Sequence, residues 1–223
     1  MQKFDTPAPI VTVLDIPAGR IQFIAADRAD TTVEVLPADP SKSRDVKAAE
    51  QIEVGYGDGV LRIEAPAAKS RILGHSGSVE VAVQLPAGSR VEGKAAAGEF
   101  RGVGRLGDVA FEGAQGSVKL DEASSARLTV LDGDVSVGRL GGPAEISTLK
   151  GAIQISEAVR GTVTLRTEHG DISVGAARGV SASLDAGTSY GRIHNALMNT
   201  DGAAAGLTIQ ATTAYGDITA RSL

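Results

Sequence analysis

The sequence predicts an all-β protein, a single-domain β-solenoid in which short strands wind into stacked coils. The main evidence is a degenerate motif, Gly-Asp-[Val/Ile]-x-[Val/Ile], which recurs with corners and strands in the same order. The copies are 17 to 25 residues apart, which is close to the length of one solenoid coil. They begin at Gly98, Gly116, Gly133, Gly151, Gly170, Gly191 and Gly216.

The composition favours a narrow aliphatic core. Hydrophobic residues make up 42% of the 223-residue chain, but aromatic residues make up only 3%, and tryptophan is absent. The interior must therefore be built from Val, Ile, Leu and Ala. Apolar and polar residues alternate along the strands, as they do when a strand buries one face. Stacked aliphatic rows between two strand faces satisfy both observations.

Residues 1–97 are predicted to form less regular coils or a cap. Alternating apolar residues indicate strands, and a Pro-Ala-Gly turn at residues 17–19 separates the first two of them. The predicted strands are residues 10–14, 20–24, 32–36 and 79–85.

Two polar segments interrupt this first part of the chain. Residues 37–50 carry prolines and charges and contain a predicted short helix at residues 43–50. The segments 51–54 and 60–64 flank a glycine-rich turn, which predicts a hairpin or adjacent coil strands. Residues 66–77 are predicted to form a second polar loop.

Residues 98–223 are predicted to form about seven regular coils, each with one strand before the repeat glycine and one after it. Stacking coils about 4.8 Å apart pairs every strand with the next coil and makes one continuous core. A twisted β-sandwich is the alternative, because short strands and frequent turns also occur there. We favour the solenoid, since a sandwich gives no reason for the corner sequence to recur in register.

Several segments resemble a bacterial family of β-strand-repeat proteins known as "putative adhesins" (domain of unknown function 4097). The resemblance covers nearly the whole chain and implies a β-helix-like fold. It implies no catalytic residues, because the motifs of the family are specific to the fold. The segments that carry it are residues 14–19, 58–63 and 83–91, together with the Gly-Asp-Ile/Val repeats.

Composition and charge exclude several classes of function. Cysteine is absent, which excludes disulfides and thiolate metal sites, and a formal net charge of −5 disfavours non-specific binding of nucleic acid. Residues 1–7 contain no apolar signal core, and no stretch reaches transmembrane length. We therefore expect a soluble, cytoplasmic protein with no membrane insertion, no metal and no cofactor.

A column of carboxylates is the first candidate site. A stack of such groups could bind Ca²⁺, which takes several oxygen ligands. However, the Ca²⁺-binding Gly-Gly-x-Gly-x-Asp nonapeptide is absent, and other residue types occupy this place in the intervening coils. We favour an ordinary turn role, in which the aspartate accepts backbone N–H bonds. The carboxylates that directly follow a glycine are Asp108, Asp134, Asp171 and Asp217.

The residue before each repeat glycine defines a second column. Its last members in the chain are His169, Tyr190 and Tyr215, which in chain order would stack as His169 over Tyr190 over Tyr215. Such an aromatic ladder could be a platform for a sugar or for a partner side chain, or it could simply stabilise the solenoid. These three residues define the main candidate binding surface.

Arginines near the coil corners form a third series. They are predicted either to line one edge and meet an anion or to pair with glutamates such as Glu99, Glu157 and Glu168. We include Arg139, Arg160 and Arg178 in the candidate surface. The full series is Arg105, Arg139, Arg160 and Arg178.

The ends of the rod suggest a route to association, because a solenoid must cover its terminal strand edges or polymerise. The N-terminal segment could cap one end. No helix or polar cap follows Asp217, so we expect the final coil, at Gly216, to be an open edge that binds a second copy or another protein. The insertion at residues 195–206 is the alternative cover for this edge.

Three functions follow from these features. The first is a non-enzymatic scaffold that binds another protein or itself, and the second is a module that binds glycan or cell-envelope material. The third is a carbohydrate-active enzyme, which would need His169, Asp171, Tyr190 and Arg192 around one groove. The sequence has no P-loop, nucleophile elbow or dinucleotide motif. We expect no enzyme activity and favour the scaffold.

Overall fold

The structure, a computed structural model, describes residues 1–66 and 77–223. Across these residues the regular structure is β-strand, apart from helix α1 (Ser43–Gln51) and a 3-10 turn at Gly202–Ala204. The predicted all-β class is confirmed, and the fold is β-solenoid-like. The short helix expected at residues 43–50 is also confirmed. The polar loop predicted at residues 66–77 lies, apart from its two end residues, outside the described part of the chain.

The N-terminal strands match the predicted segments closely. One difference is at residues 17–19, where β2 bends instead of ending in a turn. Gly19, at φ +153°, redirects the chain while the parallel ladder with later residues continues on both sides of it. The strands are β1 (Gln2–Asp5), β2 (Val11–Ala26), β3 (Asp30–Pro37), β4 (Glu53–Gly57), β5 (Val60–Glu64) and β6 (Val79–Pro86).

The remaining strands belong to the repeat region, and two long ones, β7 and β8, continue around corners. They are β7 (Arg90–Gln115), β8 (Val118–Asp132), β9 (Val135–Leu140), β10 (Ala144–Lys150), β11 (Ile153–Ala158), β12 (Gly161–His169), β13 (Ile172–Ala176), β14 (Ala182–Tyr190), β15 (Ile193–Ala196), β16 (Leu207–Tyr215) and β17 (Ile218–Ser222).

The strands form two faces that enclose one core, and their neighbours along the rod are mostly parallel. The first face runs β4, β5, β2, β7, β8, β10, β12, β16 and β14. The second runs β1, β3, β6, β2, β7, β8, β9, β11, β13, β17 and β15. Antiparallel pairs occur only at the N-terminal end of the described strands, namely β1–β3, β3–β6 and β4–β5.

The order of strands along the rod departs from the order in the chain at both ends. The first coil, β2, lies between β5–β6 and β7, so it is inside the rod although it precedes β5 and β6 in the chain. At the other end β16 lies between β12 and β14, and β17 lies between β13 and β15. The last repeat of the chain is therefore inserted between two earlier ones.

This insertion corrects the prediction that the Gly216 coil is the open edge. The open coil is formed by β14 and β15, which contain the earlier repeat glycine Gly191. The physical reason lies in the residues that face the core. The inserted coil contributes Ile209 and Ala220, both fully buried, whereas the end coil has the polar Asn195 in the row of Ala220. Burying an amide without a partner costs about 1–3 kcal/mol, so this coil is better placed at the end.

The core consists of aliphatic rows that run along the rod. One row on the second face contains Val135, Ile153, Ile172 and Ile218, none of them more than 1% exposed. The buried aromatic residues lie in the N-terminal half of the core. There the ring of Phe100 lies 5.6 Å from that of Phe23 and 4.7 Å from that of Phe111. The aliphatic interior expected from composition is therefore observed, with one local aromatic cluster.

Candidate functional site at the glycine corner and the open end

The repeat glycines stack directly on one another and form one corner of the rod. At Gly170, φ is +157° and an added Cβ would overlap the carbonyl oxygen of Gly151 in the neighbouring coil. The same clash recurs along the column, so the corner accepts no side chain. From the N-terminal side the order is Gly19, Gly98, Gly116, Gly133, Gly151, Gly170, Gly216 and Gly191.

A ladder of threonines satisfies the carbonyl groups of these glycines. The hydroxyl of Thr213 donates to the Gly170 carbonyl at 3.0 Å, and that of Thr167 donates to the Gly151 carbonyl at 3.1 Å. Thr188 does the same for Gly216 at 3.1 Å. This ladder was not predicted from the sequence. A threonine three residues before the repeat glycine is the pattern that could have revealed it.

The aspartates after the glycines hold the coils together through backbone hydrogen bonds, as the turn interpretation predicts. Asp134 accepts the N–H of Ala152 at 2.7 Å, and Asp171 accepts the N–H of Asp217 at 2.7 Å. Asp217 in turn accepts both the backbone N–H and the guanidinium of Arg192. These bonds hold the pKa of Asp217 below its ordinary value of 3.8.

The fourth predicted member, Asp108, does not belong to this column. It follows Gly107, which lies at a different corner, and it accepts a hydrogen bond from Ser125 on the first face. The prediction was wrong because a Gly-Asp pair also occurs at a corner that is not formed by the repeat glycines. Across residues 1–66 and 77–223 no group of three or more metal-ligating side chains is close enough to hold an ion.

The predicted arginine series does not form one edge. Arg139 lies between two glutamates, at 2.7 Å from Glu157 and 3.9 Å from Glu122, so its charge is already paired. Arg160 donates to the carbonyl of Gly141 at 3.2 Å, and Arg178 is exposed in the turn before β14. Arg139 precedes the Leu140–Ala158 pair, whereas Arg160 and Arg178 follow Ala158 and Ala176 by two residues, so Arg139 lies apart from the other two along the coil.

The aromatic column is present, but its order differs from the predicted one. Tyr215 lies in the middle, with its ring centroid 4.9 Å from His169 on one side and 4.9 Å from Tyr190 on the other. The interplanar angles are 10° and 4°, so the rings are nearly parallel. The predicted order placed Tyr190 in the middle, and it was wrong because the coil of Tyr215 is inserted before that of Tyr190.

Stacking leaves one broad aromatic surface at the tip of the column. Both faces of the Tyr215 ring are covered by neighbours, so mainly its edge is accessible. Tyr190 is covered on one side only and is 68% exposed. On the other side of His169 the column continues with Lys150, which lies 3.8 Å from Asp132. A planar ligand could therefore stack on the outer face of Tyr190, but not along the whole ladder.

The second candidate surface is the open end itself. Each of β14 and β15 pairs with a strand on one side, β16 and β17 respectively, and neither pairs with another described strand on the other side. Ile193 continues the core row of Ile172 and Ile218, which are 1% exposed, yet Ile193 is 47% exposed. Leu184 and Ala186 occupy two other core rows and are only partly buried. At its start the β14 edge is covered, because the Ala182 N–H donates to the Met198 carbonyl at 3.0 Å and Leu197 packs against the core. The rest of this end is a partly apolar surface whose strand edges pair with no described strand.

A separate groove lies on the first face. It has a volume of about 570 Å³ and is lined by residues that include Arg90, Arg127 and Arg166. Two of these cations have acidic partners, because Arg90 lies 2.7 Å from Glu92 and Arg127 lies 3.8 Å from Glu145. The groove contains no member of the aromatic column, so it does not join the predicted site residues.

Together these features define a class of protein: a β-solenoid-like rod with a glycine corner, an aromatic column and one uncovered end. The chain belongs to the Toastrack DUF4097 family, whose model matches residues 12–222. The resemblance noted in the sequence is therefore confirmed. A comparison with curated proteins found no match. Among the residues that the structure describes, no helix has both the length and the apolar character needed to cross a membrane.

Solved bacterial structures show similar folds at low sequence identity. A "putative adhesin" from Bacteroides fragilis is 13% identical with a TM-score of 0.49, over 98% of this chain and 95% of its own. Another from Parabacteroides distasonis is 17% identical with a TM-score of 0.44, over 100% and 95%. A "putative lipid binding protein" from the same organism is 12% identical with a TM-score of 0.39, over 98% and 95%. These values do not support transfer of a binding role.

Proposed function

We propose that the protein is a non-enzymatic β-solenoid scaffold that binds another protein or itself through the open end of the rod. The observation that carries this proposal is the uncovered coil of β14 and β15, where Ile193 occupies a core row but is 47% exposed. Unpaired strand edges and exposed core rows are surfaces that a partner strand can cover.

The test is a charge placed on the open end. Ile193→Lys is compared with Leu149→Lys, because Leu149 is also 47% exposed but lies on the side of the rod. Light scattering and quantitative recovery of bound proteins from the native cell are measured for both variants. We expect Ile193→Lys to lose association and Leu149→Lys to retain it. Equal retention by both variants would contradict binding through this end.

The geometry of the catalytic candidates supports a non-enzymatic role. His169 and Asp171 flank Gly170, whereas Tyr190 and Arg192 flank Gly191, and the coil of Gly216 lies between these two pairs. Arg192 is bound to Asp217 at 2.9 Å. A glycoside hydrolase requires two carboxyl groups facing a substrate cleft, but these side chains lie along an exposed corner. Hydrolysis of polysaccharides by the purified protein would overturn this part of the proposal.

Glycan or cell-envelope binding is a second candidate, favoured by the free outer face of the Tyr190 ring. Sugars commonly stack on such a face, and here it is available on one ring only. Tyr190→Ala should then abolish retention on cell-wall material. His169→Ala is the matched control, because the His169 ring lies two coils further in. Unchanged retention of the Tyr190 variant would eliminate this candidate.

We also propose a cytoplasmic location. Fractionation of the native cells with an antibody to the protein tests it. Recovery in the envelope fraction would contradict this location.

A further inference from the structure

We propose that the partner at the open end is a second copy of this chain, bound end to end about a two-fold axis. The inference rests on the proposed function and adds to it the identity of the partner. In the proposed dimer, β14 of each copy pairs antiparallel with β15 of the other. The two cores then join into one rod of double length. A two-fold contact of this kind closes on itself and forms a dimer, not a filament.

The opposite end of the rod is built differently in the described residues, which disfavours head-to-tail stacking. There α1 packs on β3 and β6, and Ala48 and Ala49 on this helix contact the core. The rings of Phe4 and Tyr56 contact each other at 5.5 Å and pack against the same core. Within residues 1–66 and 77–223, these contacts cover the core rows at this end, whereas the β14–β15 end leaves core-row residues such as Ile193 exposed to a partner.

The alternation of side chains restricts the pairing of β14 with the partner's β15 to in-phase registers, of which the proposed dimer uses one. Directly opposite residues in an antiparallel pair have their side chains on the same side of the sheet. Thr188 and Ala186 on β14 face inward, and so do Ile193 and Asn195 on β15, as their partners in the next coil show. In-phase pairing therefore places Thr188 opposite the partner's Ile193, and Ala186 opposite the partner's Asn195.

The outward residues in this pairing are complementary in size. Gly187 on β14 comes to lie opposite the partner's His194. No atom lies within 4 Å of the position that a Gly187 side chain would occupy, so there is space for an imidazole. Both residues are exposed in the single chain.

The charges at the end coil are also complementary between copies. Asp185 is the one acidic residue of β14, and it comes to lie opposite the partner's Ala196. Ala196 is paired with Arg221 in the coil beneath it, so the partner's Arg221 lies in the same outward row as Asp185, one strand beyond Ala196. Because the axis is two-fold, this pair of opposite charges occurs twice. Each copy carries both Asp185 and Arg221, so the charge pattern of this surface is complementary to that of a second copy.

A cysteine pair tests the arrangement, since the natural chain has no cysteine. Gly187→Cys and His194→Cys are combined in one chain and oxidised. Within one copy these positions point outward from opposite faces, which are about 10 Å apart, too far for a disulfide. Across the proposed interface they are opposite each other. We expect a covalent dimer from the double variant and none from either single variant.

The matched control combines Thr212→Cys with Thr219→Cys, which occupy the same places one coil further in. It should not cross-link between copies. Light scattering of the natural chain provides a second measurement that does not depend on any variant, and it should give the mass of a dimer at micromolar concentration. A strict monomer overturns the proposal, and so does a dimer that the cysteine pair fails to cross-link. Suppose that the natural chain is a monomer but binds another protein, and that Ile193→Lys abolishes this binding. The proposed function then stands, and only the second copy as partner is rejected.

Discussion

The ring of Tyr215 stacks on that of His169 at 4.9 Å, although the repeat that carries Tyr190 lies between them in the chain. The stacking follows from the insertion of β16 and β17 between two earlier coils. The insertion determines which coil is exposed at the tip, which ring has a free face and which strands have free edges. Both candidate binding surfaces therefore depend on it.

The insertion predicts that Ile218→Ala is much more costly than Ile193→Ala. Ile218 is 1% exposed between two coils, so its truncation should lower the free energy of unfolding by about 3 kcal/mol. Ile193 is 47% exposed, and its truncation should cost about 1 kcal/mol or less. Urea unfolding at one low protein concentration measures both, since association would add to stability. Equal losses would contradict the order of the coils.

The aromatic column gives a second test of the same order. Tyr215 makes two ring stacks and Tyr190 makes one, and each stack contributes about 1 kcal/mol. Tyr215→Ala should therefore lower the free energy of unfolding about twice as much as Tyr190→Ala. Thermal unfolding of the two variants under identical conditions provides the comparison. A larger loss for Tyr190→Ala would favour the order of the rings along the chain.

The glycine corner predicts a large effect from a single methyl group. Gly170→Ala places a Cβ on the carbonyl of Gly151 and forces a left-handed φ on alanine, so it should destabilise the fold by at least about 3 kcal/mol. Gly55→Ala is the control, because nothing lies within 4 Å of the added Cβ and Gly55 lies in β4, away from the proposed dimer contact. Its unfolding midpoint in urea should equal or slightly exceed that of the natural chain. Similar midpoints for the two variants would refute the stacked corner.

The threonine ladder predicts a smaller and more specific loss. Thr213→Val keeps the shape of a side chain that is 2% exposed but removes its hydrogen bond to Gly170. The cost should be about 1 kcal/mol. Thr212→Val, at the neighbouring exposed position, should change the free energy of unfolding by less than about 0.5 kcal/mol. If the two substitutions had equal effects in urea unfolding, the buried hydroxyl would have no special role.

Asp217 predicts a dependence of stability on acid pH. Its folded pKa is held below 3.8 by the N–H and guanidinium of Arg192, so the unfolded chain takes up a proton at higher pH than the folded one. The stabilisation is present above about pH 4 and is lost as the pH falls through the folded pKa. Asp217→Asn should flatten the difference in stability between pH 6 and pH 3. Asp27→Asn, at an exposed aspartate outside these ladders, should leave the dependence unchanged.

Much of the fold follows from local sequence. The glycine spacing predicts the corners because no other residue fits a left-handed bend against a neighbouring carbonyl, as at Gly151 and Gly170. Alternation predicts the strands, because inward positions such as Val135 and Val137 must be apolar. The turn role of the aspartates was also predictable, since Asp134 and Asp171 follow a bend whose next coil offers a free N–H.

The candidate site was predicted only in part. Its aromatic members His169, Tyr190 and Tyr215 were identified from their common position before the glycine. Their order could not be predicted, because every coil has the same pattern of corner and strands and any two coils can form a parallel ladder. The arginine series was not confirmed as a site, because Arg139 found glutamates in the adjacent coils while Arg160 and Arg178 lie elsewhere on the coil.

The sequence by itself determined the repeating unit of this protein: a glycine corner between two short strands with one buried side. Only the tertiary structure decided which unit lies beside which, and with it where the rod ends. The physical reason is that any two neighbouring coils form the same ladder hydrogen bonds. The coils differ in the residues of their core rows, and therefore in what it costs to expose them at the end. The coil with Ile209, Ile218 and Ala220 is buried on both sides, and the coil with Asn195 is left at the tip.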